Sequence, residues 1–169
     1  MYYKPAKYII IIFVFFTSQM CFSQHLTFQD LKNLYHENTE RNSTILYEKG
    51  FVFKNSKKDI NKLEQLLWMY NRDGSNTSSE YFTKDCTNLF LNKCEKVTYM
   101  TSSEKHFVAL KKSMQLNFYK FLFSNTNENG VLSHQYLIPG PITATFSTIP
   151  LNPRVYVIEL EYLEVKEEK

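Results

Sequence analysis

The most regular alternation of apolar and polar positions lies near the C-terminus, between Arg154 and Val165. Tyr156, Ile158, Leu160 and Tyr162 recur at every second position, with Glu159 and Glu161 between them. Neighbouring side chains of a strand point to opposite faces, so this spacing predicts a half-buried antiparallel strand whose even-numbered residues from Tyr156 to Tyr162 enter the core. Phe118 to Phe123, Val131 to Ile138 and Ile142 to Ile149 also read as strands, punctuated by the polar turn Ser124 to Gly130, by Pro139-Gly140-Pro141 and by the Pro150 to Pro153 segment. Ahead of them the period changes. Thr101 with Glu104 three residues later has the form of a capping box, and Phe107, Leu110 and Met114 fall on one face of the helix it opens.

The first part of the chain shows the same succession. Thr27 can cap a helix with Asp30 at its third position, and Phe28, Leu31, Leu34 and Tyr35 repeat at helical spacing. Asn38 to Ser43 is polar before Ile45, Leu46 and Tyr47 resume the stripe and Lys49-Gly50 stops it, which predicts a helical hairpin or one helix with a weak middle. Phe51 to Phe53, Leu66 to Tyr70, Glu80 to Lys84 and Lys96 to Met100 read as strands, with a turn in Asn71 to Ser79 around Asp73-Gly74. Phe28-x-x-Leu31-Lys32 and Phe107-x-x-Leu110-Lys111 are the same phrase. The expected fold is therefore α+β, an antiparallel sheet with helices packed on one face, and it admits a duplicated αβββ unit with halves at 24–100 and 101–169.

Composition changes this picture at the N-terminus. Lys4 and Lys7 precede an apolar run from Tyr8 to Phe16, and Cys21-Phe22-Ser23 sets small residues at the minus-three and minus-one positions before Gln24. That is the pattern of a secretory signal peptide over residues 1–23, and the run falls well short of the roughly 20 residues of a permanent membrane span. Gln19 and Met20 are unsuited to lipoprotein processing, which argues against a lipid anchor at Cys21. The expected mature chain is one domain over 24–169, periplasmic or extracellular. It holds 18 basic and 17 acidic residues. So balanced a charge gives no reason to expect nucleic acid or an anionic membrane as partner. Cys86 and Cys94 remain as a pair in an oxidising compartment and are expected to form a disulfide.

Candidate chemistry is sparse. Ser102-x-x-Lys105 lacks the partner motifs of a Ser/Lys nucleophile and is explained by helix capping. Asn125, Asn127, Asn129 and Gly130 imitate a calcium loop without anionic ligands, and the twelfth position is Tyr136 rather than Glu. His25, His36, His106 and His134 show no metal-ligand spacing, and His36 and His106 are expected on solvated helix sides. Asn42-Ser43-Thr44 and Asn76-Thr77-Ser78 fit the N-glycosylation pattern. No catalytic residue, metal ligand or cofactor is indicated, and oligomeric state is left open. Trp68 and Tyr70 are the candidates for an exposed aromatic binding patch. The leading expectation is an exported binding or interaction module that meets another protein, as an inhibitor, an immunity-like protein or an envelope-associated factor. The alternative is a small extracytoplasmic hydrolase whose site assembles from distant residues.

Overall fold

A computed structural model describes residues 25–58, 64–70, 79–88, 93–117 and 119–163. The leader, most of the Asn71 to Ser79 turn with its Asn76 sequon, Phe118 and the last six residues lie outside this set. Among the described residues, three helices, α1 (Phe28–His36), α2 (Thr39–Glu48) and α3 (Glu104–Leu116), accompany eight strands. The strands are β1 (Phe51–Lys58), β2 (Glu64–Tyr70), β3 (Glu80–Asn88), β4 (Lys93–Thr101), β5 (Lys120–Thr126), β6 (Leu132–Ile138), β7 (Ile142–Ile149) and β8 (Val155–Tyr162). They form one sheet in the order β1-β2-β3-β4-β8-β7-β6-β5, every pair antiparallel. The fold is α+β.

The order shows why the halves look alike. Each begins with helix and continues as a meander running from an edge to the middle, where β4 and β8 meet. Among the described residues each half has four strands, the segments that read as strands in the sequence, so the repeated unit would be αββββ rather than αβββ.

Local chemistry sets the helix ends. The Thr27 hydroxyl accepts from the Asp30 amide at 3.1 Å and the Asp30 carboxylate accepts from the Thr27 amide at 2.8 Å, a reciprocal capping box. Burial alone would push the Asp30 carboxyl up, but these bonds and the Lys49 ammonium at 3.1 Å bring it below its ordinary value. The polar middle is a break between two helices, capped afresh by Asn38, whose Oδ1 accepts from the Arg41 amide at 2.8 Å. Gly50 ends α2 at a φ of +87°, with the Tyr70 ring 3.0 Å from where a Cβ would stand. The cap of α3 is Ser103 rather than Thr101. Thr101 belongs to the end of β4 and is buried there, with its hydroxyl accepting from the Ser103 amide. Capping therefore explains Ser103 and not Ser102.

The helices lie over one face. Phe28 of α1 stacks on Phe146 of β7 and Phe107 of α3 on Tyr156 of β8, while Phe82, Tyr99, Ile158 and Leu160 fill the sheet side of the core. In β8 the even-numbered residues Tyr156, Ile158 and Leu160 point inward, and Glu159 and Glu161 share the opposite face. Tyr162, expected inside, is 55% exposed, because it is the last residue of the strand and extends past the helical cover. The Asn-rich segment is the β5–β6 hairpin turn, in which Asn127 Oδ1 accepts from the amides of Asn129 and Val131. Asn42 is fully buried and donates to the Leu34 carbonyl at 2.9 Å, so it is no glycosylation acceptor in the folded chain.

Candidate functional site

Strand β3 carries the surprise of the core. Its inward set is Glu80, Phe82, Lys84 and Cys86, all buried, so two charged groups face the helices. Lys84 is fully enclosed. Its Nζ donates to the Leu34 carbonyl at 2.7 Å and to the Glu37 carbonyl, both at the C-terminal end of α1. These carbonyls have no partner within the helix, and the helix dipole is negative there, so an ammonium satisfies both demands. Burial nevertheless pushes the Lys84 pKa down to about 8, against the pull of the nearby Glu37 carboxylate.

Glu80 serves the other end of α1. Its Oε1 lies 2.9 Å from His25 Nδ1, 3.8 Å from His106 Nδ1 and 3.4 Å from the Thr101 hydroxyl. The imidazoles of His25 and His106 are 4.4 Å apart between centroids. His106 Nε2 is 2.9 Å from the Leu26 carbonyl, which can only accept, so Nε2 carries a proton, and in the neutral ring the lone pair of Nδ1 faces inward to take the Tyr99 hydroxyl at 3.0 Å. Burial would raise the Glu80 carboxyl, but a hydrogen bond from Nδ1–H of His106 in its protonated form, one from Tyr99, and the charges of protonated His25 and His106 hold it below the usual value. The expectation that His106 is a solvated helix residue fails: its side chain is 11% exposed. Four histidines scattered in sequence gave no metal-ligand spacing, yet the fold brings two of them to one carboxylate, with the candidate donor atoms within 4.8 Å of one another. The only hint in the sequence was Glu80 itself, an acid placed in phase with Phe82.

Of the two readings open for the aromatic candidates, an exposed patch or burial, Trp68 takes burial. Trp68 is 1% exposed and packs between Phe53 and Phe82 at centroid separations of 5.4 and 5.7 Å, and Tyr70 is half-buried against Phe51. Its place opposite Phe82 in the ladder turns Trp68 to the helix side. Trp68 still reaches a surface feature. With Ser43, Thr44, Tyr47, Phe51, Val52 and Phe53 it lines an open groove of about 410 Å³ between α2 and β1. Tyr47, Val52 and Phe53 are 77%, 40% and 48% exposed at its rim, and the buried indole N–H of Trp68 has no hydrogen-bond partner among the described residues.

Cys86 is disulfide-bonded, and the ladder sets its Cα opposite that of Cys94. Among the described residues no helix is long and apolar enough to cross a membrane. The chain matches no protein-family model, no curated protein and no solved structure, so its function has to be read from its own residues.

Proposed function

We propose that this chain is an exported binding module, released after Ser23 and tied by a Cys86–Cys94 bridge, that holds an extended segment of another protein along β1. The observation that carries this reading is the apolar groove beside an edge strand. Strand β1 ends the sheet, so the backbone groups on its outer side face no neighbouring strand among the described residues. Such an edge is a template for strand addition, in which the main chain gives affinity and side-chain pockets give specificity. The strand is divided along its length. Phe51 to Phe53 border the groove, whereas Lys54, Lys57 and Lys58 are exposed beyond it. Lysines on an edge disfavour pairing with a second copy of the same edge, and they favour a partner that offers an apolar anchor followed by acidic residues.

A photo-crosslinking residue at Phe53, introduced in the native exporting cell, tests the reading. The expected result is a discrete adduct with a second protein that is absent when the same residue replaces exposed Phe121 on the opposite edge. Adducts formed equally at both positions, or only between copies of the chain, would refute it. A hydrolase is the second reading, favoured by the His25–Glu80–His106 cluster. It makes the opposite demand: Tyr47→Ser and Phe53→Ser would leave the activity intact.

A further inference from the structure

The cluster at the start of α1 has the makings of a metal centre independent of the groove. We infer that His25, Glu80 and His106 form a binding site for one divalent cation of the zinc type. Zinc takes imidazole nitrogens at about 2.0–2.1 Å and carboxylate oxygens at about 2.0–2.2 Å, so two ligands of a tetrahedral ion stand roughly 3.3 Å apart. The Glu80 Oε1 to His106 Nδ1 separation is 3.8 Å and the Glu80 Oε1 to His25 Nδ1 separation is 2.9 Å. All three donor atoms lie within 4.8 Å of one another, so side-chain rotations that close the widest separation by roughly 1.5 Å bring the set into range. His25 has the freedom to move, since its side chain is 53% exposed, while Glu80 and His106 are held by the surrounding fold.

The surroundings orient the donors in the way a metal requires. Ligating imidazoles commonly donate their other N–H to a carbonyl or carboxylate, which fixes the ring and its tautomer. His106 already does so through Nε2 and the Leu26 carbonyl, leaving the Nδ1 lone pair directed at Glu80 and Tyr99. Tyr99 supplies the exchange. Its one O–H can serve either His106 Nδ1 or the Glu80 carboxylate, so when a metal takes the imidazole nitrogen it turns to the carboxylate. Two neutral imidazoles and one carboxylate suit zinc better than calcium or magnesium, which prefer all-oxygen sets. The exposed side of His25 leaves the fourth position open to water.

Chelator-treated full-length exported protein, titrated with ZnCl2 by calorimetry and with Co2+ by visible absorption, tests the site. The expected result is saturable binding of one ion per chain, with the intense visible bands of tetrahedral cobalt. His25→Ala should weaken binding at least roughly tenfold, by analogy with the ten- to hundredfold losses on removing even outer-shell partners. Because His25 is exposed, this variant keeps the fold, which a metal-free thermal midpoint close to the parent's will verify. His36→Ala, altering an exposed imidazole away from the cluster, should bind as the parent does. Absence of saturable binding below millimolar metal would overturn the inference, as would equal affinities in the parent and His25→Ala.

Discussion

Strands β3 and β7 occupy matching places in the two halves of the sheet, each one strand out from the central β4–β8 pair, and their core chemistry is opposite. Strand β7 sends Ile142, Ala144 and Phe146 under the helices, and α3 rests there on Phe107, Leu110 and Met114. Strand β3 sends Glu80 and Lys84 along with Phe82. The two charges are four residues apart, roughly 13 Å along a strand, and the nine residues of α1 also span roughly 13 Å. Glu80 meets the groups just before α1, and Lys84 meets the carbonyls that end it. Strand β7 thus meets its helix through shape and apolar area, and the polar anchor of α3, His106, reaches across to Leu26 and Tyr99 of the first half. The first adds a polar clamp at each end, which fixes where α1 lies along the sheet and makes that half responsive to protons and metal ions.

The sharpest break of this contrast is to give the second half a charge of its own. Ile158→Asp would bury a carboxylate at a position 1% exposed, in a core that packs it among apolar and aromatic side chains. The expected destabilisation exceeds about 4 kcal/mol, in the range reserved for unpaired buried charge. Glu159→Gln, one residue away on the uncovered face, should stay within about 0.5 kcal/mol, since its bond to Lys96 joins two side chains each 33% exposed. Chemical denaturation compares the two, and equal losses would mean that the register of β8 is wrong.

The same contrast explains what could be read from the chain in advance. Strands β8 and β7 were legible because their inward residues are apolar, so alternation in sequence equals alternation in burial. In β3 the inward residues are Glu80, Phe82, Lys84 and Cys86 and the outward ones Tyr81, Thr83 and Asp85, which leaves hydropathy with no period of two. The strand could be named but its faces could not. Edge strands β1 and β5 were partly visible for a related reason: Lys54 to Lys58 and Ser124 to Thr126 are exposed whichever way they point. The cluster was hidden because His25, Glu80 and His106 lie 55 and 26 positions apart in succession, and only the meander and the helix caps bring them together. Trp68 left two readings open. A large aromatic in a run of apolar residues fits either a patch or a core, and the ring of Phe82 one strand away decides for the core.

The proposed Cys86–Cys94 bridge sharpens the comparison at an intermediate scale, since β3 and β4 both belong to the first half. A Cys86–Cys94 bridge closes nine residues, which corresponds to about 2.5 kcal/mol of unfolded-state entropy. Reductant should therefore lower the thermal midpoint of the oxidised protein by several degrees. It should do nothing to a Cys86→Ala/Cys94→Ala variant. An unchanged midpoint in the parent would show that the connection between β3 and β4 is already ordered without the bridge.

The smallest effect, and the most specific to the polar half, is a rise in stability on the alkaline side. Burial pushes the folded-state pKa of Lys84 down to about 8, whereas an unfolded lysine keeps its ordinary value of 10.5. Between those values the unfolded chain binds more protons than the folded one, so stability increases with pH. Below about pH 8 both states are protonated and this group gives no slope. One proton limits the gain to about 1.4 kcal/mol per pH unit. Lys111 is also pushed down by burial and adds in the same direction. Tyr99 opposes the trend only above its ordinary value of 10.0, because burial and the Glu80 charge raise it and the folded state then retains a proton that the unfolded state has lost. The window is therefore pH 8 to 10. Urea denaturation across it should show the parent gaining stability. Lys84→Met, which keeps the volume and removes the ammonium, should retain only the smaller slope left by Lys111. A parent curve that is flat or falling through this window, or a variant with the parent's slope, would mean that Lys84 keeps its full charge against the α1 carbonyls. The clamp would then hold α1 by permanent electrostatics rather than by a titratable bond.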